Sequence, residues 1–450
     1  MQRKTLAETA KALADGHVSS RALVEDCLAR IDDPQGEGAR AFLRVDHAGA
    51  RAAAEAIDGL RAVSAAPSIH AGIPVSIKDL FDIADQRTTA GSRILLEAKS
   101  ASSDAVAVAR LRRAGFILIG RSNMTEFAFS GLGLNPHYGT PAAPWQRSEG
   151  RIAGGSTSGG AVSVADGMAF AALGTDTGGS CRIPAAFCGL VGFKPTARRV
   201  PLDGTVPLSP SLDSIGPLAH SVACCAAIDS VLSDQPMPRL AGGDIRRLTI
   251  GVLRNLVLEG MEDPVSEALS RAMSQLSAAG ARLVDLEIPE LEDIKHINAR
   301  GGFTAAEAFH WHYPLIMRGA DIYDPRVLVR IRRGEQQSAS DYLDLLAARR
   351  RLISAVTERM SDLDAILFPT VPILPPRISI FESDEVFGKI NLLVLRNSTV
   401  VNMIDGCAIS IPIHRPGEPP VGLTFAGLGG SDHRLLRVAA MAEAAFAQAV

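Results

Sequence analysis

The sequence predicts an α/β fold, a β-sheet covered by helices, and two observations carry that prediction. Short apolar runs of strand length alternate with longer stretches of helical period along most of the chain. The chain is also 450 residues long and 47% hydrophobic, enough to bury a core larger than that of a small single domain.

In chain order, the polar start "MQRKTLAETAKALADG" has helical period and lacks the apolar segment of a secretion signal. Helices are expected over "TLAETAKALAD", over "SSRALVEDCLARID" with Ser19 or Ser20 as N-cap, and over "HAGARAAAEAIDGLRA". Residues 1–65 thus form a helical N-terminal region. "GIPVSIKDLFD" reads as a buried strand, "DAVAVARLRRAG" as a helix and "FILIG" as a strand; "SGGAVSVADGMA" and "FAALGTD" continue the alternation. It resumes with "LTIGVL", the helix "DPVSEALSRAMSQLSAAG" and "RLVDLEI". Residues 299–362 read as mostly helical, "AILFPTVP", "AISIPI" and "VGLTFAG" as strands, and a last helix starts near 431. There is no fixed-period repeat and no long Pro/Ser linker.

Composition narrows the function. The 46 basic and 49 acidic residues nearly cancel, which gives no electrostatic reason for nucleic acid or an anionic membrane as partner. No stretch approaches a membrane span of about 18 uninterrupted apolar residues. Cys27, Cys181, Cys188, Cys224, Cys225 and Cys407 show no CxxC spacing and suit a reduced, cytoplasmic protein in which they are small buried side chains. The expected partner is a small molecule.

Residues 72–217 differ in texture. Four glycine-rich loops fall there, "AGSR", "SGLGLNP", "AGGSTSGG" and "GTDTGGS", and glycine at that density marks unusual backbone or close approach by something else. Two of the loops present serines. A serine hydroxyl is a weak nucleophile until a neighbour takes its proton. Histidine is the common neighbour, yet the ten histidines are scattered, and the centre of "GSTSG" is Thr157, so there is no G-x-S-x-G elbow. No lysine has a serine three residues before it either.

Lysine usage offers another base. Only seven of the 46 basic residues are lysine, the other 39 being arginine, and Lys78 lies among Pro74, Val75, Ile77, Leu80 and Phe81. A guanidinium stays protonated, whereas a desolvated amine loses its proton near neutral pH. Moving a lysine from about 10.4 to about 7–8 takes roughly 3–5 kcal/mol of burial. Read alone, Lys78 is equally a strand-end lysine paired with Asp79.

Ser156 and Ser158 stand in a loop rich in free N–H groups just before a helix, and Ser156 precedes Ser180 by 24 residues. A helix and a strand between the two serines return both hydroxyls to one sheet edge. The amides of Thr177, Gly178, Gly179 and Ser180 are candidate donors to a developing oxyanion.

Taken together these residues resemble the amidase signature hydrolases. "GGSTSGG" and "GTDTGGSCRIPA" carry the resemblance, with "GIPVSIKDLFD" before them and "GLVGFKPT" after, about a third of the chain, and "AISIPIHRPGEPPVGLTFAG" resembles the family's C-terminal strands. The resemblance implies a large open twisted mixed β-sheet with helices on both faces, and one amidase domain over residues 1–450: a catalytic core at about 70–220 and a variable substrate-shaping region at about 240–345. It also implies a Ser–cis-Ser–Lys triad with Ser180 as nucleophile, Ser156 as bridging serine and Lys78 as base, and a cis peptide bond following the bridging serine, in the Ser156–Thr157 neighbourhood. Thr157 departs from the family's usual serine run, and the 24-residue spacing selects Ser156 over Ser158.

By the same resemblance, Phe127, Ala128 and Ser130 of "EFAFSG" belong to the acyl pocket, with Phe127 equally a core residue, while Asp176 and Arg182 brace the Ser180 loop. Lys194 in "FKPT" reads as structural. His310 and His312 lack a third ligand at matching spacing, so no metal and no cofactor is expected. Phe303, Phe309, Trp311, Tyr313 and Met317 are expected to shape the acyl pocket, which points to an apolar or aryl acyl group; the abundant arginines keep a carboxylate-bearing substrate open. The expected activity is hydrolysis of a small carboxamide to acid and ammonia through an acyl-enzyme, with no nucleic acid or membrane partner and a homodimer left open. The alternatives are the glutaminase component (A subunit) of a glutamyl-tRNA amidotransferase and, from another class, a phosphate-binding module, against which "GLVGFKPT" fails the Walker spacing.

Overall fold

A computed structural model describes residues 5–448; the first four residues of the expected N-terminal helix region lie outside the described residues. Eleven strands form one sheet: β1 Phe42–Val45, β2 Pro74–Lys78, β3 Ile117–Ser122, β4 Ala171–Asp176, β5 Val191–Lys194, β6 Ser214–Ala219, β7 Thr249–Leu253, β8 Arg282–Leu286, β9 Ala365–Pro369, β10 Cys407–Pro412 and β11 Gly422–Gly427. Their spatial order is β1-β3-β2-β4-β6-β5-β10-β11-β9-β7-β8. β2 pairs parallel with β3 and β4, and β7 parallel with β8 and β9; antiparallel pairings through β6, β5, β10 and β11 join the two parallel flanks.

Every residue of β2, β4, β5, β6, β9 and β11 is buried. Successive strand residues point to opposite faces, so strands buried throughout are covered on both. The cover includes the expected helices. Leu6–Ala14 opens with a Thr5–Glu8 capping box, Ser20–Ile31 is capped by the Ser19 hydroxyl, and Asp263–Ala278 and Asp432–Gln448 fall where their periodicity puts them. The mostly helical stretch resolves into Gly302–Gly319, Pro325–Arg332 and Ala339–Arg359.

Two strands carry no sequence signal. β1 is a four-residue edge strand, and β6 contains Pro217, which argues against a central strand. Pro217 is tolerated because β5 pairs with β6 only through Ala219 and Leu218, beyond the proline.

Candidate active site

Parallel pairing of β2 with β4 brings Lys78 and the Thr175–Asp176 end of β4 to one sheet edge, at strand C-termini, where α/β sheets place ligands. Lys78 is fully buried. Its Nζ donates to Ser156 Oγ at 2.7 Å and to Thr175 Oγ1 at 2.8 Å. Burial lowers its pKa to about 8, against the attraction of Cys181, Asp176 and Asp213 for the charged form. The neutral amine is therefore accessible near neutral pH.

Ser156 sits between strand and helix, just before Ser158–Ala165. The cis peptide bond is Gly155–Ser156, before Ser156 rather than after it, which corrects the expectation at Ser156–Thr157. The loop leaves no room for a side chain at that step: a Cβ on Gly155 would lie 2.5 Å from Gly133 N. The Gly155 amide donates to Gly131 O at 2.9 Å, so this loop packs directly on the loop that follows Ser130.

Ser180 occupies the turn between β4 and the helix Arg182–Cys188 and is nearly buried. The Thr157 amide donates to Ser180 O at 3.3 Å, which ties the two serine loops together by backbone. Among the described residues no hydrogen bond joins the Ser156 and Ser180 hydroxyls.

The Ser180 turn is held from within. Asp176 is wholly buried; Oδ1 accepts from Gly179 N at 2.9 Å and Oδ2 from Cys181 N at 3.1 Å. Arg182 Nε and Nη2 reach the same carboxylate at 3.0 and 2.8 Å. Burial disfavours the Asp176 anion, but the charge and hydrogen bonds of Arg182 outweigh it and hold the carboxyl well below the usual range. The Gly179 N–H is thereby committed to Asp176, and the expected set of oxyanion donors contracts to the amides of Thr177, Gly178 and Ser180. Gly179 has φ +130°, and a Cβ there would stand 2.5 Å from Ile183 Cδ1, so glycine is needed on both counts.

The residues matched by the family model described as Amidase are 22–436, and they include all of this geometry. The chain belongs to the amidase family. It is 36% identical to a 2-amino-5-chloromuconic acid deaminase of Comamonas testosteroni, over 99% of this chain and 96% of that protein. It is 33% identical to the A subunit of a glutamyl-tRNA(Gln) amidotransferase of Roseiflexus castenholzii, over 96% and 94%. A solved amidase crystal structure superposes with a TM-score of 0.88 at 31% identity, covering 98% of this chain and 99% of the other. As an amidase the protein is a hydrolase of amide C–N bonds.

Several residues of this amidase's site escape sequence reasoning. Thr175 is a second acceptor for Lys78. Asn402 donates to Asp176 Oδ1 at 3.0 Å, and its Oδ1 accepts from Arg182 Nη2 at 2.7 Å; Ser398 O accepts from Arg182 Nη1 at 3.0 Å. Asn402 and Ser398 both come from the helix Asp384–Met403, more than 200 positions along the chain from Arg182. Asp213 accepts from the Thr177 hydroxyl and from the amides of Leu208 and Ser209, and burial pushes its pKa up to about 6 against those hydrogen bonds. Thr175 stands inside "GTDTGGS" without a role of its own in that reading, and no local motif announces Asn402, Ser398 or Asp213.

The loop that carries Phe127, Ala128 and Ser130 packs on the Ser156 loop, the Thr125 amide donating to Ser156 O at 3.2 Å. Phe127 is buried, its ring 4.3 Å from His312, 5.4 Å from Tyr323 and 6.0 Å from Trp311; the amidase uses it in an aromatic core rather than on an open wall. Ala128 is buried beside it in a left-handed conformation. The Ser130 hydroxyl donates to Asn391 Oδ1 at 2.8 Å, tying this loop to the helix Asp384–Met403. Phe303 lies in a separate core against Tyr342, while Tyr313 and Met317 are 54% and 71% exposed. Phe309 stacks edge-on against Tyr313. A helical period identifies an apolar face but not the surface it meets.

His312 Nδ1 contacts Tyr323 Oη at 2.9 Å, and burial lowers its pKa to about 3. His310 is exposed, and among the described residues no three ligating side chains gather as a metal would require. Lys194 Nζ donates to the carbonyls of Pro195 and Gly406 at 2.9 and 2.7 Å, a clip between β5 and the start of β10. All six cysteines are free and buried, and no described helix is long and apolar enough to cross a membrane.

Proposed function

We propose that this amidase is a stand-alone, single-domain cytoplasmic enzyme that hydrolyses a small carboxamide through an acyl-enzyme on Ser180. The observation that carries the reading is the 2.7 Å hydrogen bond from the buried Lys78 amine to Ser156 Oγ, in a setting whose burial lowers the amine's pKa to about 8. Lys78 takes a proton from Ser156, and Ser156 takes one from Ser180 as Ser180 Oγ bonds to the amide carbonyl carbon. A rotation of the Ser180 side chain completes the hydroxyl chain. The amides of Thr177, Gly178 and Ser180 receive the oxyanion. The proton returns through Ser156 to the nitrogen, the C–N bond breaks and ammonia leaves. Water then repeats the relay and releases the carboxylic acid.

Arg330 is what supports a carboxylate-bearing substrate class. Its Nη1 donates to Phe129 O in the loop beside Ser130, its guanidinium lies 4.7 Å from the centroid of Phe387, and burial lowers its pKa to about 10. No carboxylate of the described residues pairs with it, which leaves a guanidinium fork for a carboxylate on the substrate. The deaminase of Comamonas testosteroni is itself named for an acid.

Several amidotransferase A subunits match at 31–35% identity, so that role is the second reading. One experiment separates the two. The purified chain is offered a panel of carboxylate-bearing and neutral amides, ammonia is assayed, and Ser180 is inspected for acylation by mass spectrometry. Ammonia release with an acyl adduct on Ser180, and none with Ser180→Ala, supports the proposal. Strict dependence on a second protein and on glutamine favours the amidotransferase role.

A further inference from the structure

Paired strands ordinarily set like charges apart. Here the antiparallel register of β1 and β3 places Arg44 opposite Arg121, next to a bulge between Phe42 and Arg44. Both line a cavity of about 400 Å³ to which Arg87 adds a third guanidinium, and none of its walls comes from the Ser156 or Ser180 loops.

Arg121 is only 3% exposed. Its Nε donates to Asp79 Oδ1 at 2.6 Å and its Nη2 to the carbonyls of Asp79 and Phe81 at 3.2 and 2.8 Å, yet Nη1 is buried with no partner. A buried charged donor left open is uncommon and calls for an acceptor. Arg44 and Arg87 are exposed and form no ion pair among the described residues. The two carboxylates on the wall do not balance them. Asp79 is already taken by Arg121, the Thr89 hydroxyl and the Gly91 amide, and Asp85 is one charge against two arginines. Ser100 and Tyr138 add hydroxyl groups to the same wall.

We infer that this cavity is a binding site for a small oxyanion, a carboxylate or phosphate group, separate from the acyl site. A concave surface with surplus positive charge concentrates anions, and guanidinium groups match either oxyanion in bidentate geometry. Arg121 is the fixed member, held by Asp79; Arg44 and Arg87 close on the ligand from the rim.

The test is titration calorimetry of the full chain with inorganic phosphate and, separately, with succinate, at constant ionic strength with chloride as the salt control. Saturable binding of at least one oxyanion below about 10 mM is expected. The tighter of the two assigns phosphate or carboxylate. The double variant R44A/R87A weakens binding by at least about tenfold, while Ser180→Ala leaves it unchanged. Both replaced arginines are exposed, and retention of the wild-type melting temperature checks the fold. Absence of saturable binding by either oxyanion, undiminished binding in R44A/R87A, or loss of binding in Ser180→Ala overturns the inference.

Discussion

Asp176 and Arg182 form an ion pair with no solvent exposure on either side chain, closed by contacts of 2.8 and 3.0 Å and capped by Asn402. The carboxylate also takes two amides of the Ser180 turn, so a single side chain fixes both the charge balance and the shape of the proposed catalytic loop. Removing one partner strands the other charge in the interior.

Asp176→Ala is therefore expected to lower stability by about 3–5 kcal/mol. Denaturant unfolding at pH 7 measures it. Because the folded state holds this carboxyl below its ordinary value of 3.8, its contribution is complete above that pH and is lost as the pH falls below it. In Asp176→Ala the acid limb of the stability curve should be correspondingly flatter.

In the proposed relay Lys78 sets the pH dependence of the reaction. With its pKa lowered to about 8, log(kcat/KM) for an amide should rise with slope near one below that pH and level off above it. A flat profile from pH 5 to pH 9 with chemistry rate-limiting excludes Lys78 as the base. The same group makes stability rise between pH 8 and its ordinary value of 10.5, where the unfolded chain still binds a proton that the folded chain has released. Lys78→Met should abolish turnover and remove that slope.

Gly179→Ala tests the turn directly. The new Cβ meets Ile183 and Ser398 at 2.5 and 2.6 Å in a backbone conformation that L-residues avoid. The expected loss in kcat is about 10²-fold or more, while Gly150→Ala, where nothing lies within 4 Å although φ is also positive, should leave kcat close to wild type.

Arg330→Met reports on substrate class. KM for carboxylate-bearing amides should rise by about tenfold or more, with little change for neutral amides. Equal effects on both would point to a structural role through Phe129.

The parts of the site legible in the sequence are those written in short contiguous stretches, a strand end for Lys78 and loops for the two serines. Lys78, Ser156 and Ser180 each stand in a local pattern, and the helix and strand between Ser156 and Ser180 suffice to bring their loops to one edge. Asn402 and Ser398 are silent because their role arises only when a helix from the far end of the chain docks on Arg182. Phe127 is legible as a core residue as well as a pocket residue, and its aromatic neighbours settle its side chain in the core. Tyr313 and Met317 stand on a helix face that is turned to solvent, which a helical period alone does not reveal. In the sheet, the alternating apolar runs reveal most strands, whereas Pro217 hides β6 and brevity hides β1.

The reach of the helix Asp384–Met403 back to Arg182 has an outcome for biosynthesis. A polypeptide halted before residue 398 already contains all three hydroxyl and amine groups of the proposed relay, yet its Arg182 guanidinium has Asp176 alone and lacks the two acceptors that the late helix supplies. The finished shape of the serine turn therefore waits until residues 398–402 have been made and their helix has docked on Arg182.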